Sequence, residues 1–211
     1  MEEKRILAQI ILFWLVVIFS EAPYVCADRF IPIGTGTFHV YRGVPFQIDG
    51  VYIRVDTLYE TSDIMLLGGQ IANRIHILQT SGYAANVPGW TIVGHILVYY
   101  EDGASEVMDL IAGENTAEWA YERIEVACCL AHPKVEPAYS WWTGLDSASH
   151  YRGHIFYVSM DLEARPLDRL ELALCEDAYT DQPPCPPPPC EQTDPERYSI
   201  LITAVTLEVP E

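Results

Sequence analysis

Between residues 44 and 207 the apolar side chains recur at every second position, and that period limits what the chain can fold into. Val44, Phe46 and Ile48 alternate with Pro45 and Gln47, and Val51, Ile53 and Val55 alternate with Tyr52 and Arg54. Ile92, Gly94, Ile96, Val98 and Tyr100 fall on one face of a strand, with Val93, His95, Leu97 and Tyr99 on the other. Phe156, Val158, Met160 and Leu162 share a face, as do Leu170, Leu172 and Leu174. Successive side chains of a strand point to opposite faces, so this spacing buries one side of a sheet. Residues 74–79 read as a strand buried on both faces, and residues 199–207 as the last strand. Asp102-Gly103, between two alternating runs, marks a tight hairpin, because these residue types tolerate the positive φ that such a turn requires.

Helical signal is confined to short turns near residues 57–67 and 115–119. About nine or ten strands joined by loops imply an all-β fold, an antiparallel β-sandwich or barrel. No repeat or linker divides residues 28–211, which read as a single β-sandwich domain. The stretch 182–195 is a Pro- and Cys-rich surface loop of that domain.

Lys4 and Arg5 precede an apolar run over residues 6–20, and Val25-Cys26-Ala27 follows it. The run is short for a bilayer-spanning helix. The pattern is that of a signal peptide over residues 1–27, so an extracytoplasmic location is expected: secreted, periplasmic or cell surface. The chain carries 12 Lys+Arg against 30 Asp+Glu, a net charge of -18. After residue 27 the only lysine is Lys134. Nucleic acid is thus excluded as a partner, and anionic lipid is disfavoured, since each needs a basic surface.

In an oxidising compartment, Cys185 and Cys190, flanking four prolines, are expected to form a disulfide. Cys128-Cys129 reads as part of a strand, with Cys128 buried beside Ile124 and Val126. Cys175 could pair with either of these two, and the sequence does not decide between them. No paired CxxC exists, so zinc is not expected. His150 and His154 lie too far apart in an extended segment to share one ion. No cofactor is assigned. The adjacent acids Glu101-Asp102 and Glu176-Asp177 lie at strand ends and read as turn residues rather than a glycosidase pair.

The order of motifs is distinctive: Gly43-Val44-Pro45-Phe46, Asn73-Arg74-Ile75-His76-Ile77-Leu78, residues 94–103 with their hairpin, residues 113–119, and Trp142-Thr143-Gly144. It resembles the galactose-binding-like, jelly-roll β-sandwich modules of bacterial exported proteins, which are similar to carbohydrate-binding modules. The resemblance spans residues 38–207. It implies a jelly-roll sandwich, a carbohydrate-binding role and a structural calcium; Asp49, Asp56 and Asp63 are candidate donors without an assigned ligand set.

Sugars offer flat CH faces and hydroxyl edges, so their sites join an aromatic platform to polar side chains. Tyr139 and Trp141, with Asp146, Tyr151 and Arg152, form the candidate ligand-binding set, read as a loop. If Trp142 plugs the core, Trp141 faces outward. The expected function is therefore a non-catalytic exported module that binds glycan or cell-envelope polysaccharide. Its alternatives are a structural or protein-interaction module of a surface assembly, and a secreted hydrolase.

Overall fold

A computed structural model describes residues 29–34, 36–48, 53–56, 64–143, 150–175 and 198–210. The expected hairpin is present. Gly103 takes φ of +86°, its N–H donates to the Tyr100 carbonyl at 3.0 Å, and Asp102 accepts from the Ala104 N–H at 3.0 Å. The hairpin joins β7 (Ile92–Tyr100) to β8 (Ser105–Ile111). With β11 (Leu167–Leu174) and β5 (Met65–Leu66) they form a four-stranded sheet in the order β5-β11-β7-β8.

The second sheet has six strands. Its central path runs β1 (Phe30–Ile33), β12 (Ser199–Glu208), β6 (Arg74–Gly82), β10 (Tyr151–Asp161), β9 (Tyr139–Thr143). A further strand, β4 (Ile53–Asp56), pairs with β12 at Ser199 to Ile202, while β1 pairs with it at Val205 to Glu208, so the two lie end to end along one edge. A separate hairpin, β2 (Thr37–Tyr41) with β3 (Val44–Ile48), completes the strands. Every strand pairing is antiparallel, and the two main sheets stack as a β-sandwich.

The main core lies between the two sheets. Ile75, Ile77, Ile200 and Val205 of the larger sheet meet Ile96, Val98, Leu170 and Leu172 of the smaller one, all essentially without solvent exposure. Each such side chain stabilises the fold by about 1.5–3 kcal/mol relative to exposure. Gly94 leaves no room for a side chain between the sheets: an added Cβ would lie 2.3 Å from Ile200 Cδ1 of the larger sheet and 2.6 Å from the Ala173 carbonyl oxygen of the neighbouring strand.

The larger sheet is also covered on its outer face. Phe46 and Val44 of β3 pack on Leu78, Ala204 and Ile155. Residues 113–135 fill one end of the interior, where Ala117 and Tyr121 pack against Phe156.

The alternation in β7 holds from Gly94 to Tyr100 but not at its start. The register against β8 shifts between Ile92 and Gly94, which leaves Ile92 exposed and Val93 buried. Two other expectations are corrected. Residues 124–127 form a one-turn helix, α1 (Ile124–Ala127), instead of a strand. The helical twist exposes Cys128 and buries Cys129, the reverse of the strand reading, and neither cysteine is free. Residues 139–143 are strand β9, not a loop. The leader, Asp49, Asp63, Glu176-Asp177 and the expected Cys185–Cys190 disulfide lie outside the described residues. No helix among the described residues is long and apolar enough to cross a membrane.

Candidate functional site: an aromatic groove on the larger sheet

Beyond the edge of the β2–β3 hairpin, the outer face of the larger sheet is open. A groove of about 430 Å³ runs there over β12, β6, β10 and β9. Its floor alternates with the core. Thr80 and Gly82 of β6, and Ser199, Leu201 and Thr203 of β12, point outward where Ser81, Ile200 and Ile202 point in. Its walls are aromatic, formed by Tyr139, Trp141, Trp119 and Tyr83, with Ile48 at the hairpin end and Arg54 on β4.

Trp141 is positioned by a glycine. Trp141 of β9 pairs with Gly153 of β10, and a Cβ on Gly153 would lie 2.4, 2.6 and 2.8 Å from three adjacent carbons of the indole. Three near-equal distances mean that the ring lies flat on the glycine, with its other face turned away from the sheet. Any larger residue at 153 would lift it. Trp119 lies 6.0 Å from Trp141 at an interplanar angle of 12°, and Tyr139 lies 6.2 Å from it at 17°. At such separations near-parallel rings are offset sideways. The three rings therefore form a row along the groove.

The opposite wall depends on a buried acid. Tyr83 holds a left-handed φ of 61°, a conformation costly for a residue with a side chain. The Glu118 carboxylate accepts from the Ala84 N–H at 2.8 Å and the Ala120 N–H at 3.3 Å, and also from the Tyr83 backbone. These bonds tie the turn after β6 to the segment that carries Trp119, whose own N–H donates to the Ser81 carbonyl at 2.8 Å. Complete burial pushes the Glu118 carboxyl up to about 7, and the backbone donors offset only part of that rise. On the floor, Thr203 donates to the Leu78 carbonyl at 3.1 Å. Thr80 is buried, and its hydroxyl has no hydrogen-bond partner among the described residues.

The residues singled out in the sequence separate on this surface. Tyr139 and Trp141 line the groove. Tyr151 sits beside it, its ring 5.9 Å from Trp119. Arg152 turns to the other face, where it donates to Glu122 at 2.9 and 2.5 Å and stands over the Trp142 ring. Hydrogen bonding from Arg152 holds the Glu122 carboxyl below its ordinary range. Asp146 lies outside the described residues. Trp142 is 63% exposed and packs on His150, so it is no core plug.

His154 is buried under Tyr121, with ring centroids 4.2 Å apart, and bonds Ser140 through Nδ1 at 2.8 Å. Burial lowers its pKa, and also those of His76 and His132. Among the described residues no cluster of three side chains could hold a metal ion.

Trp119, Tyr83, Thr80 and Arg54 were not visible as site residues in the sequence. The signal that could have found Trp119 and fixed Trp141 is the pairing of Gly153 with Trp141, which is legible only once residues 139–143 are read as a strand. No family model and no curated relative matches the chain.

Proposed function

We propose that the groove on the larger sheet binds glycan, and that the protein acts as an exported recognition module of jelly-roll, galactose-binding-like type. The observation that carries this reading is the Trp141 indole laid flat on Gly153, in a row with Trp119 and Tyr139. Such a row matches successive pyranose rings, whose CH faces pack on aromatic planes. The Ser199, Tyr83 and Arg54 side chains line the same surface and add hydroxyl and cationic groups to it. A strongly acidic chain with few lysines favours a neutral over an anionic polysaccharide. The export leader and a disulfide in the Cys-Pro loop belong to the same reading, since both fit an oxidising compartment.

A second reading rests on a different surface. Phe38 and Val40 of β2 are 58% and 70% exposed, as expected if that hairpin meets another protein.

A glycan array probed with the wild-type chain and with Trp141→Ala tests the first reading. Binding to a restricted set of neutral glycans, lost in the variant, is the expected result. Equal binding by both proteins, or none by either, contradicts it.

A further inference from the structure

The outer face of the four-stranded sheet, on the far side of the molecule from the groove, carries three side chains in line. His95 of β7 points away from the core, between the buried Gly94 and Ile96. Its Nδ1 lies 2.8 Å from Oδ1 of Asp109, its partner across the strand on β8. Its Nε2 lies 3.1 Å from Sγ of Cys175, just past the end of β11, where the Cys175 N–H donates to the Val93 carbonyl at 3.1 Å.

The order of contacts is what nucleophilic catalysis requires. A carboxylate on Nδ1 keeps a proton there, and Nε2 is left to take the proton of the nucleophile. The imidazole is 32% exposed and the carboxylate 46%, so a solute can reach the array. The Ser140, His154 and Glu122 grouping is different. There the serine sits on Nδ1, Glu122 is 3.7 Å from Nε2, and the imidazole is sealed under Tyr121.

We propose that Cys175 is a nucleophile that takes an acyl group from a small activated ester or thioester, with His95 as its base and Asp109 as the positioning residue. The thiol proton passes to His95 Nε2, and the sulfur lone pair forms a bond to the acyl carbon. The bond from that carbon to the leaving oxygen or sulfur breaks with its electron pair, and the leaving group takes the proton from Nε2. Water then attacks the S-acyl carbon, giving its proton to Nε2. The bond from that carbon to sulfur breaks with its electron pair left on sulfur, the carboxylic acid is released, and the Cys175 sulfur takes the proton back from Nε2.

The test uses the whole chain with p-nitrophenyl acetate, following release of p-nitrophenolate and locating acetyl groups by peptide mass spectrometry. Acetylation at Cys175, faster in the folded chain than in the same chain unfolded in guanidinium, is the expected result. Cys175→Ser abolishes it. His95→Asn slows it about a hundredfold, the scale of a positioned general base, with an unchanged thermal midpoint. Asp109→Asn slows it and Asp109→Glu restores it. Acetylation of Cys175 no faster in the folded than the unfolded chain overturns the proposal, as does a His95→Asn rate equal to wild type. The assay contains no glycan and reads Cys175 alone, so its result stands or falls apart from glycan binding.

Discussion

The outer faces of the two sheets are built differently from similar strands. In the four-stranded sheet the outer face meets water. From Gly94 onward β7 alternates between buried and half-buried residues, and His95, Leu97 and Tyr99 stay accessible. In the six-stranded sheet the outer face is covered by the β2–β3 hairpin, and β6 is buried continuously from Ile75 to Gly82. A strand with one layer over it keeps its period of two, and a strand between two layers loses it. The groove lies where that second cover stops. Aromatic rings complete the surface there, and they remain half exposed because no described strand lies over them.

The widest separation between the faces is expected in stability. Phe46→Ala removes the fully buried ring that holds the hairpin on the larger sheet. It is expected to cost about 3–5 kcal/mol, read as a fall in the urea midpoint. Leu97→Ala on the open face of the smaller sheet is expected to cost under about 1 kcal/mol. Similar losses for the two would show that the hairpin is not a structural cover.

Next in size is the pH dependence set by Glu118. Its folded pKa, about 7, lies above the ordinary value of 4.5. The folded state therefore holds a proton that the unfolded state has lost across that interval, and this contribution to stability weakens as pH rises from 4.5 to 7. Measured against Glu118→Gln, the wild type should gain about 3 kcal/mol on going from pH 7 down to 4.5. The three buried histidines act in the opposite sense. Their lowered pKa values favour the fold above 6.5, and that stability is lost as pH falls through their folded values. Subtracting the variant curve removes their common effect. A difference between the two proteins that stays flat over that range would contradict the buried state of Glu118.

A smaller effect is expected at the glycine under the platform. Gly153→Ala forces the Trp141 ring off the sheet and is expected to cost about 1–3 kcal/mol through overpacking. It should also shift tryptophan fluorescence, as the indole moves relative to Trp119. Unfolding midpoint and emission unchanged from wild type would place the ring elsewhere.

The sandwich was legible because its signals are local. The Asp102-Gly103 turn and the alternation in β7, β10 and β11 need only neighbouring residues. The groove was half legible. Tyr139 and Trp141 stood out by residue type, but their strand is short and lacks a polar alternation, so Ser140-Trp141-Trp142 read as a loop. Which indole faces the groove follows from the pairing with Gly153, a contact between strands that no local pattern encodes. Trp119 and Glu118 escaped for the same reason. They lie in an irregular segment whose place between β6 and β10 is fixed by the backbone bonds to Ser81 and His154. The turn of helix at Ile124–Ala127 was misread because its apolar residues, Ile124 and Val126, also fit a period of two over so short a run.

Affinity electrophoresis through gels cast with the best glycan ligand, as a soluble polysaccharide, tests the binding claim most directly, because it compares the two adjacent tryptophans in one experiment. Wild type and Trp142→Ala should be retarded alike, and Trp141→Ala should migrate as it does in a plain gel. Retardation lost in Trp142→Ala but kept in Trp141→Ala would contradict the account, because it would move recognition to the other face of the sheet.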